Sequence, residues 1–229
     1  MHATKEDGAG TGDAVRIVLR PLGSALPLGF LVFGTGMAVL GGIQLHLIPL
    51  PMTHQAAVLL LTFVAPLEFV ASLLAFVSRD GLAGTGLGLF AGSWATIGVQ
   101  YLLAQPGARS PVQAIYFFTF AVAVVLLGVV ALKGQLLLAV ILLSAAVRTA
   151  LSALYELLGI GALQTTSGII SLAITALALY GGLALLLEDT THGTVLPLAR
   201  RGQSRTALEG SLGDQLGDLQ QEAGIRRNL

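Results

Sequence analysis

Six apolar stretches, each about 20 residues long, fill most of the chain and leave it few ways to fold. A helix of about 20 residues crosses the hydrocarbon core of a bilayer, which is about 30 Å thick. We expect helices at 26–47, 56–77, 82–103, 112–132, 134–159 and 163–187. The composition agrees, because 55% of the 229 residues are apolar and only 10% are charged, against about 25% in soluble domains. The sequence predicts an all-α integral membrane protein with six transmembrane helices, one bundle per protomer.

The positive charges indicate how this bundle is oriented. Six spans place both termini on one side, and all Lys and Arg residues except Arg109 and Arg148 fall on that side. Because positive charge is retained on the cytoplasmic side, both termini are expected in the cytoplasm. We therefore expect cytoplasmic tails at 1–24 and 191–229 around a membrane domain at 25–190, in a plasma membrane or a bacterial inner membrane.

The fifth stretch carries polar residues along one face. Ser144, Arg148, Ser152 and Tyr155 are three or four residues apart, so they share one side of a helix. A charge at mid-membrane normally faces the bundle interior, a water-filled cavity or a partner charge. We expect this polar stripe to line a pathway inside the bundle.

Three charged residues lie within the spans, and Arg148 and Glu68 each have two interpretations. Arg148 could bind a carboxylate substrate through its guanidinium fork, or it could form an ion pair with Glu68 or Glu156. Glu68 could carry a proton or pair with Arg148. Both lie about halfway along antiparallel spans, so we expect them at similar depth and within salt-bridge or water-bridged reach. Glu156 lies eight residues beyond Arg148, about 12 Å along the axis, and is the weaker partner.

Several classes of function lack the residues they need. The chain has no cysteine, and its four histidines lack metal-ligand spacing, so we expect no metal and no cofactor. No nucleophile–base pair suggests an enzyme, and no basic run interleaved with aromatic residues suggests nucleic-acid binding.

Gly84, Gly88 and Gly92 form a small-residue face that predicts helix packing within or between protomers.

Four segments resemble motifs of one family. LPLGFLVFGTG at 26–36 is similar to the Asn-Pro-Ala-Pro-Leu-Gly-Leu signature that opens the first helix of the acetate uptake transporters, which include the succinate–acetate permeases. FAGSW at 90–94 resembles that family's third-helix Tyr-Gly-Ser-Phe-Trp, and ALKG at 131–134 its connection between the fourth and fifth helices. HGTVLPLA at 192–199 resembles the segment after its sixth helix. The resemblance extends over about 26–199.

The resemblance implies a six-helix protomer with its own central pathway, assembly into a homo-hexamer, and uptake of acetate and related short carboxylates with protons. Of the signature, Pro27, Leu28 and Gly29 are kept, while Ser24 and Ala25 replace its Asn and first Pro.

The family's narrow hydrophobic waist uses a Phe, a Tyr and a Leu. Here these positions fall on Phe33, on Ala91, and near Val147 or Arg148. This waist is expected to be wider on one side and charged on another, which leaves open a substrate other than acetate. The match also places Trp94 along the pathway.

We expect a transporter or channel for acetate and related short-chain carboxylates, succinate among them, with proton symport. A passive channel for a small neutral solute, such as urea or an amide, is one alternative. A non-transporting membrane scaffold is the other. Arg148 favours the anion, and the polar stripe of the fifth span argues against the scaffold.

Overall fold

Six long helices make up the membrane part of the computed structural model, which describes residues 23–191 and 193–201. They are α1 (Leu26–Gln44), α2 (Leu50–Val77), α3 (Gly81–Leu103), α4 (Pro111–Ala131), α5 (Leu136–Leu158) and α6 (Gly161–Thr191). Each is long and apolar enough to cross a membrane. The predicted all-α, six-helix membrane fold is confirmed. Most of the two predicted tails lies outside the described residues.

Two helix boundaries differ from the prediction. The first helix ends at Gln44, because His46 takes a left-handed backbone conformation with φ 58°. The second begins six residues early, with a 3₁₀ turn at Leu50–Met52. It also contains a π-helical turn at Leu60–Val64. Pro66 follows this turn and has no N–H to donate to the carbonyl four residues earlier, so the widened turn accommodates its ring.

The six helices form a ring in chain order. Each helix contacts the next one along the chain, and α1 also packs against α6, which closes the ring. The smallest of these contacts joins α3 and α4. Consequently α2 and α5 lie on opposite sides of the ring. We call the end of the ring that holds the start of α1 and the end of α6 the terminal end, and the other the opposite end.

Glycines allow two of these helix pairs to approach closely. A Cβ at Gly41 would lie 3.2 Å from the carbonyl oxygen of Gly168, which brings α1 and α6 together. On α3, Gly84 lies against the ring of Phe76 and Gly88 against the hydroxyl of Ser72, both on α2. Gly92, the third member of the predicted face, is exposed and has no neighbour there within 4 Å.

A segment after α6, residues 193–201, folds back onto the terminal end of the bundle. The Leu198 side chain is only 3% exposed. The backbone of Leu136 donates to Ala199, and Arg200 binds both carboxylate oxygens of Glu188 at 2.7 Å. This segment, which the sequence assigned to a tail, therefore packs against the membrane domain.

Candidate functional site

Aromatic side chains from α1, α3 and α4 meet inside the ring. The ring centroid of Phe33 lies 4.7 Å from that of Phe90 and 6.1 Å from that of Trp94, and Phe90 lies 5.3 Å from Phe120. All these pairs meet edge to face, the arrangement that aromatic quadrupoles favour. We call Phe33, Phe90, Trp94 and Phe120 the aromatic cluster. It brings together two residues that the sequence assigned to the pathway.

The position of Trp94 depends on a glycine across the helix interface. A Cβ at Gly36 would lie 2.8 Å from Cζ2 and 2.9 Å from Cη2 of the indole. The absence of a side chain at Gly36 therefore lets the indole approach α1 closely, where it is only 1% exposed. Ala91, the predicted counterpart of the family's Tyr, is buried nearby but does not line the cavity described next.

A small cavity lies between the aromatic cluster and the terminal end. It offers ≈ 50 Å³ for the centres of water-sized molecules. Its walls are apolar side chains and glycines from α1, α3 and α5, among them Phe33, Phe90 and Ile141. Gly29 of the signature lines it too. Glu68, from α2, is the one polar side chain in this lining.

Glu68 is buried without a hydrogen-bond partner. The residue is 0% exposed, and neither carboxyl oxygen has a partner within the described part of the chain. The indole of Trp94 stands beside it, yet its Nε1 also lacks a partner that meets hydrogen-bond geometry. Native proteins rarely bury polar atoms unpaired, and such atoms often mark a functional position or a bound molecule.

Arg148 lies in a second polar region, towards the opposite end. The residue is 5% exposed, and its Nε has no hydrogen-bond partner among residues 23–191 and 193–201. Tyr101 is close enough to interact with its charge. Tyr101 lies seven residues beyond Trp94 on α3, about 10 Å along the axis. The Arg148 guanidinium is therefore separated from the Glu68 cavity along the axis of the bundle.

A network of hydrogen bonds fixes the backbone at Arg148. The hydroxyls of Ser152 and Ser167 both donate to its carbonyl oxygen, at 3.2 and 3.1 Å. Gln44 joins this network: its Nε2 donates to Ser152 Oγ at 3.1 Å, and its Oε1 accepts from Ser171 at 3.3 Å and lies 3.2 Å from Ser167 Oγ. The network joins α1, α5 and α6.

The other residues that the sequence assigned to the pathway differ in how deeply they are buried. Of the polar stripe, Ser152 is buried with Arg148, whereas Ser144 and Tyr155 are half-buried. Val147 is 54% exposed on the outside of the ring, so it does not take the waist position. Glu156 is half-buried and accepts a hydrogen bond from the backbone N–H of Ser110 at 2.8 Å.

Glu68 and Arg148 were predicted to lie within salt-bridge or water-bridged reach, and the described residues show no direct ion pair between them; the water-bridged contact stays a prediction. Among the described residues the one salt bridge is between Arg200 and Glu188. Glu68 and Arg148 are on helices that lie across the ring, and Glu68 faces α5 at the level of Leu142. Arg148 is six residues further along, about 9 Å up the axis.

Sequence reasoning missed Gln44, the hub of the network. The available signal was a lone amide near the end of an apolar span, where a buried polar group needs partners. No group of three potential metal ligands occurs in the part of the chain that the structure describes.

Comparison with known proteins gives one informative result. No family model and no curated protein matched the sequence. A solved structure, that of the bacterial acetate channel SatP, superposes with a TM-score of 0.71 over 78% of this chain and 99% of that one, at 22% identity. The protein has the fold of this channel. At this identity the likeness establishes the fold alone. With its six apolar helices, the chain is a multi-pass membrane protein.

Proposed function

We propose that the protein is a channel or transporter for acetate and related short-chain carboxylates, including succinate. The substrate moves with protons, through a pathway in each protomer of a homo-hexamer. The observation that carries this proposal is the buried guanidinium of Arg148, for which the described residues provide no counter-ion. The likeness to an acetate channel supports the substrate class.

The energetics of a buried charge favour an anionic ligand. A buried cation without a partner costs several kcal/mol, and a bound carboxylate offsets this cost. Guanidinium also matches a carboxylate in geometry, since two parallel N–H donors can bind its two oxygens. The hydrogen bonds from Ser152 and Ser167 hold the backbone of Arg148 in place, which orients the side chain for such a ligand.

Uptake into proteoliposomes tests the proposal. Labelled acetate, succinate and urea are offered with and without a pH gradient to wild type, Arg148→Gln and Arg109→Gln. Arg109 is exposed in the loop between α3 and α4, so its substitution is matched in charge but lies outside the ring. Loss of a charge-assisted pair worth about 1.5–3 kcal/mol predicts a fall of roughly 10- to 100-fold in carboxylate uptake by Arg148→Gln only.

The alternatives give different outcomes. Unchanged carboxylate uptake by a folded Arg148→Gln variant would contradict the anion-binding role. Urea flux without carboxylate flux would identify a channel for neutral solutes. Absence of flux for all three solutes in a reconstituted wild-type protein would favour a scaffold. Uptake that does not respond to the pH gradient would rule out the proton component while leaving the carboxylate pathway intact.

A further inference from the structure

We propose that the cavity beside Glu68 is a binding site for the undissociated form of a small carboxylic acid, separate from the anion site at Arg148. This inference takes its substrate class from the proposed function. It adds a second site with a different chemical preference, because the two polar regions differ in the sign of charge they tolerate.

The cavity excludes an anion on electrostatic grounds. Among the described residues, its lining from α1, α3 and α5 contains no charged side chain, and Glu68 is the one titratable group that faces it. A carboxylate entering here would find no cation to pair with and would lie against another carboxyl group. Both would then be buried in apolar surroundings, which costs several kcal/mol per ion.

The same surroundings keep the Glu68 carboxyl neutral. Its two oxygens have no partner in the described part of the protein, so nothing there offsets the cost of a buried negative charge. A neutral carboxyl group presents an O–H donor and a C=O acceptor side by side. A second carboxylic acid presents the same two groups in the reverse order, so two hydrogen bonds can form at once.

The shape of the cavity fits the rest of such a ligand. A water needs about 10–15 Å³ of this kind of space, so ≈ 50 Å³ accommodates a few waters or one two-carbon acid. Phe33 and Phe90 form part of the wall, which suits a methyl group. A divalent cation does not fit, because it needs about six oxygen ligands and the lining supplies one carboxyl group.

The chain contains a built-in reporter for this site. Trp94 is the only tryptophan in the sequence, and its indole stands beside the Glu68 carboxyl. Binding at Glu68 should therefore change the intrinsic tryptophan fluorescence of the purified protein, without any label. This readout does not depend on transport.

The test is a fluorescence titration of the full chain in mild detergent. Acetate is added at several pH values between about 4 and 7, and acetamide serves as a neutral isostere whose state does not change over that range. We expect the acetate curves to coincide when plotted against the concentration of undissociated acid. Acetamide should give a response at every pH, because its amide also presents a donor beside an acceptor.

Two substitutions make the test specific to Glu68. Glu68→Leu removes both hydrogen bonds and should raise the half-saturating concentration of acetic acid about 10- to 30-fold. Glu68→Gln retains an adjacent donor and acceptor, so it should keep most of the affinity and lose any dependence on the ionisation of residue 68. If Glu68→Leu fails to fold, the pH series and Glu68→Gln decide the question.

Three results would overturn the proposal. The response could follow total acetate rather than the undissociated acid, or it could persist unchanged in Glu68→Leu. Methylammonium could produce the response while acetic acid does not, which would identify a cation site made by the carboxylate and aromatic faces. Uptake by Arg148→Gln, measured after the same purified protein is reconstituted into proteoliposomes, reports on the anion site alone, so failure of either proposal is visible separately.

Discussion

Adding one methyl group at Gly36 should disturb the aromatic cluster. In Gly36→Ala the new Cβ would lie 2.8 Å from Cζ2 of Trp94, 2.9 Å from its Cη2 and 3.0 Å from Cγ1 of Val64. Ordinary carbon contacts are about 3.5–4.0 Å, so the indole or the helix must move. Trp94 and Val64 are both fully buried, which leaves little room for that movement.

The magnitude follows from two opposing terms. Overpacking a well-filled site costs about 1–3 kcal/mol. Alanine is favoured over glycine within a helix by about 1 kcal/mol, so Gly36→Ala should be destabilising by about 0–2 kcal/mol. Gly92→Ala provides the control, because a Cβ at Gly92 meets no atom within 4 Å. The free energy of unfolding of Gly92→Ala should rise by about 1 kcal/mol, so it should exceed that of Gly36→Ala by about 1–3 kcal/mol.

Thermal unfolding in one detergent would measure this difference. For a chain of this size 1 kcal/mol shifts Tm by about 2–4 °C, so Gly92→Ala should melt at least about 2 °C above Gly36→Ala. The tryptophan emission of Gly36→Ala should also differ from wild type, since Trp94 is the only tryptophan. Equal melting temperatures with unchanged emission would show that the indole does not pack against Gly36 as the structure has it.

Three further predictions concern the polar network, the assembly and the orientation. Ser167→Ala removes a fully buried hydroxyl with three side-chain or carbonyl partners and should lower the free energy of unfolding by about 1–3 kcal/mol. Ser144→Ala, at a half-buried position, should change it by no more than about 0.5 kcal/mol. Similar melting temperatures for the two variants would contradict the network. Native mass spectrometry in mild detergent should give a homo-hexamer, and monomer alone would count against it. The chain has no cysteine, so a single introduced cysteine can report the orientation. In intact cells an impermeant maleimide should label Ala104→Cys, in the loop expected outside, and should not label Lys133→Cys, in the loop expected on the cytoplasmic side. The reverse pattern would place the termini outside.

The helices were predictable because the length of each apolar stretch can be read directly from the sequence. A run of about 20 apolar residues indicates a span whatever surrounds it. The end of α1 at Gln44 and the π turn before Pro66 depend on backbone details that hydropathy does not record. The docking of residues 193–201 depends on Leu198 meeting the core and on Arg200 reaching Glu188. Both contacts form only once the bundle exists, so a polar segment looked like a tail.

The absence of a direct ion pair between Glu68 and Arg148 among the described residues shows how coarsely the sequence gives depth. Residue counting gave each group an approximate depth, because helices rise by about 1.5 Å per residue. That depth was too coarse, because Glu68 faces α5 at the level of Leu142 and Arg148 lies six residues further along, about 9 Å up the axis. Since the ring places Phe33 and Phe90 beside the Glu68 cavity, and Tyr101 near Arg148, the two side chains have different surroundings. Groups that do not neutralise each other remain available to a ligand. A direct ion pair would have satisfied both side chains, whereas their separation leaves an unpartnered carboxyl at one level and an unpaired guanidinium at another among the described residues, and the two proposed sites rest on this separation.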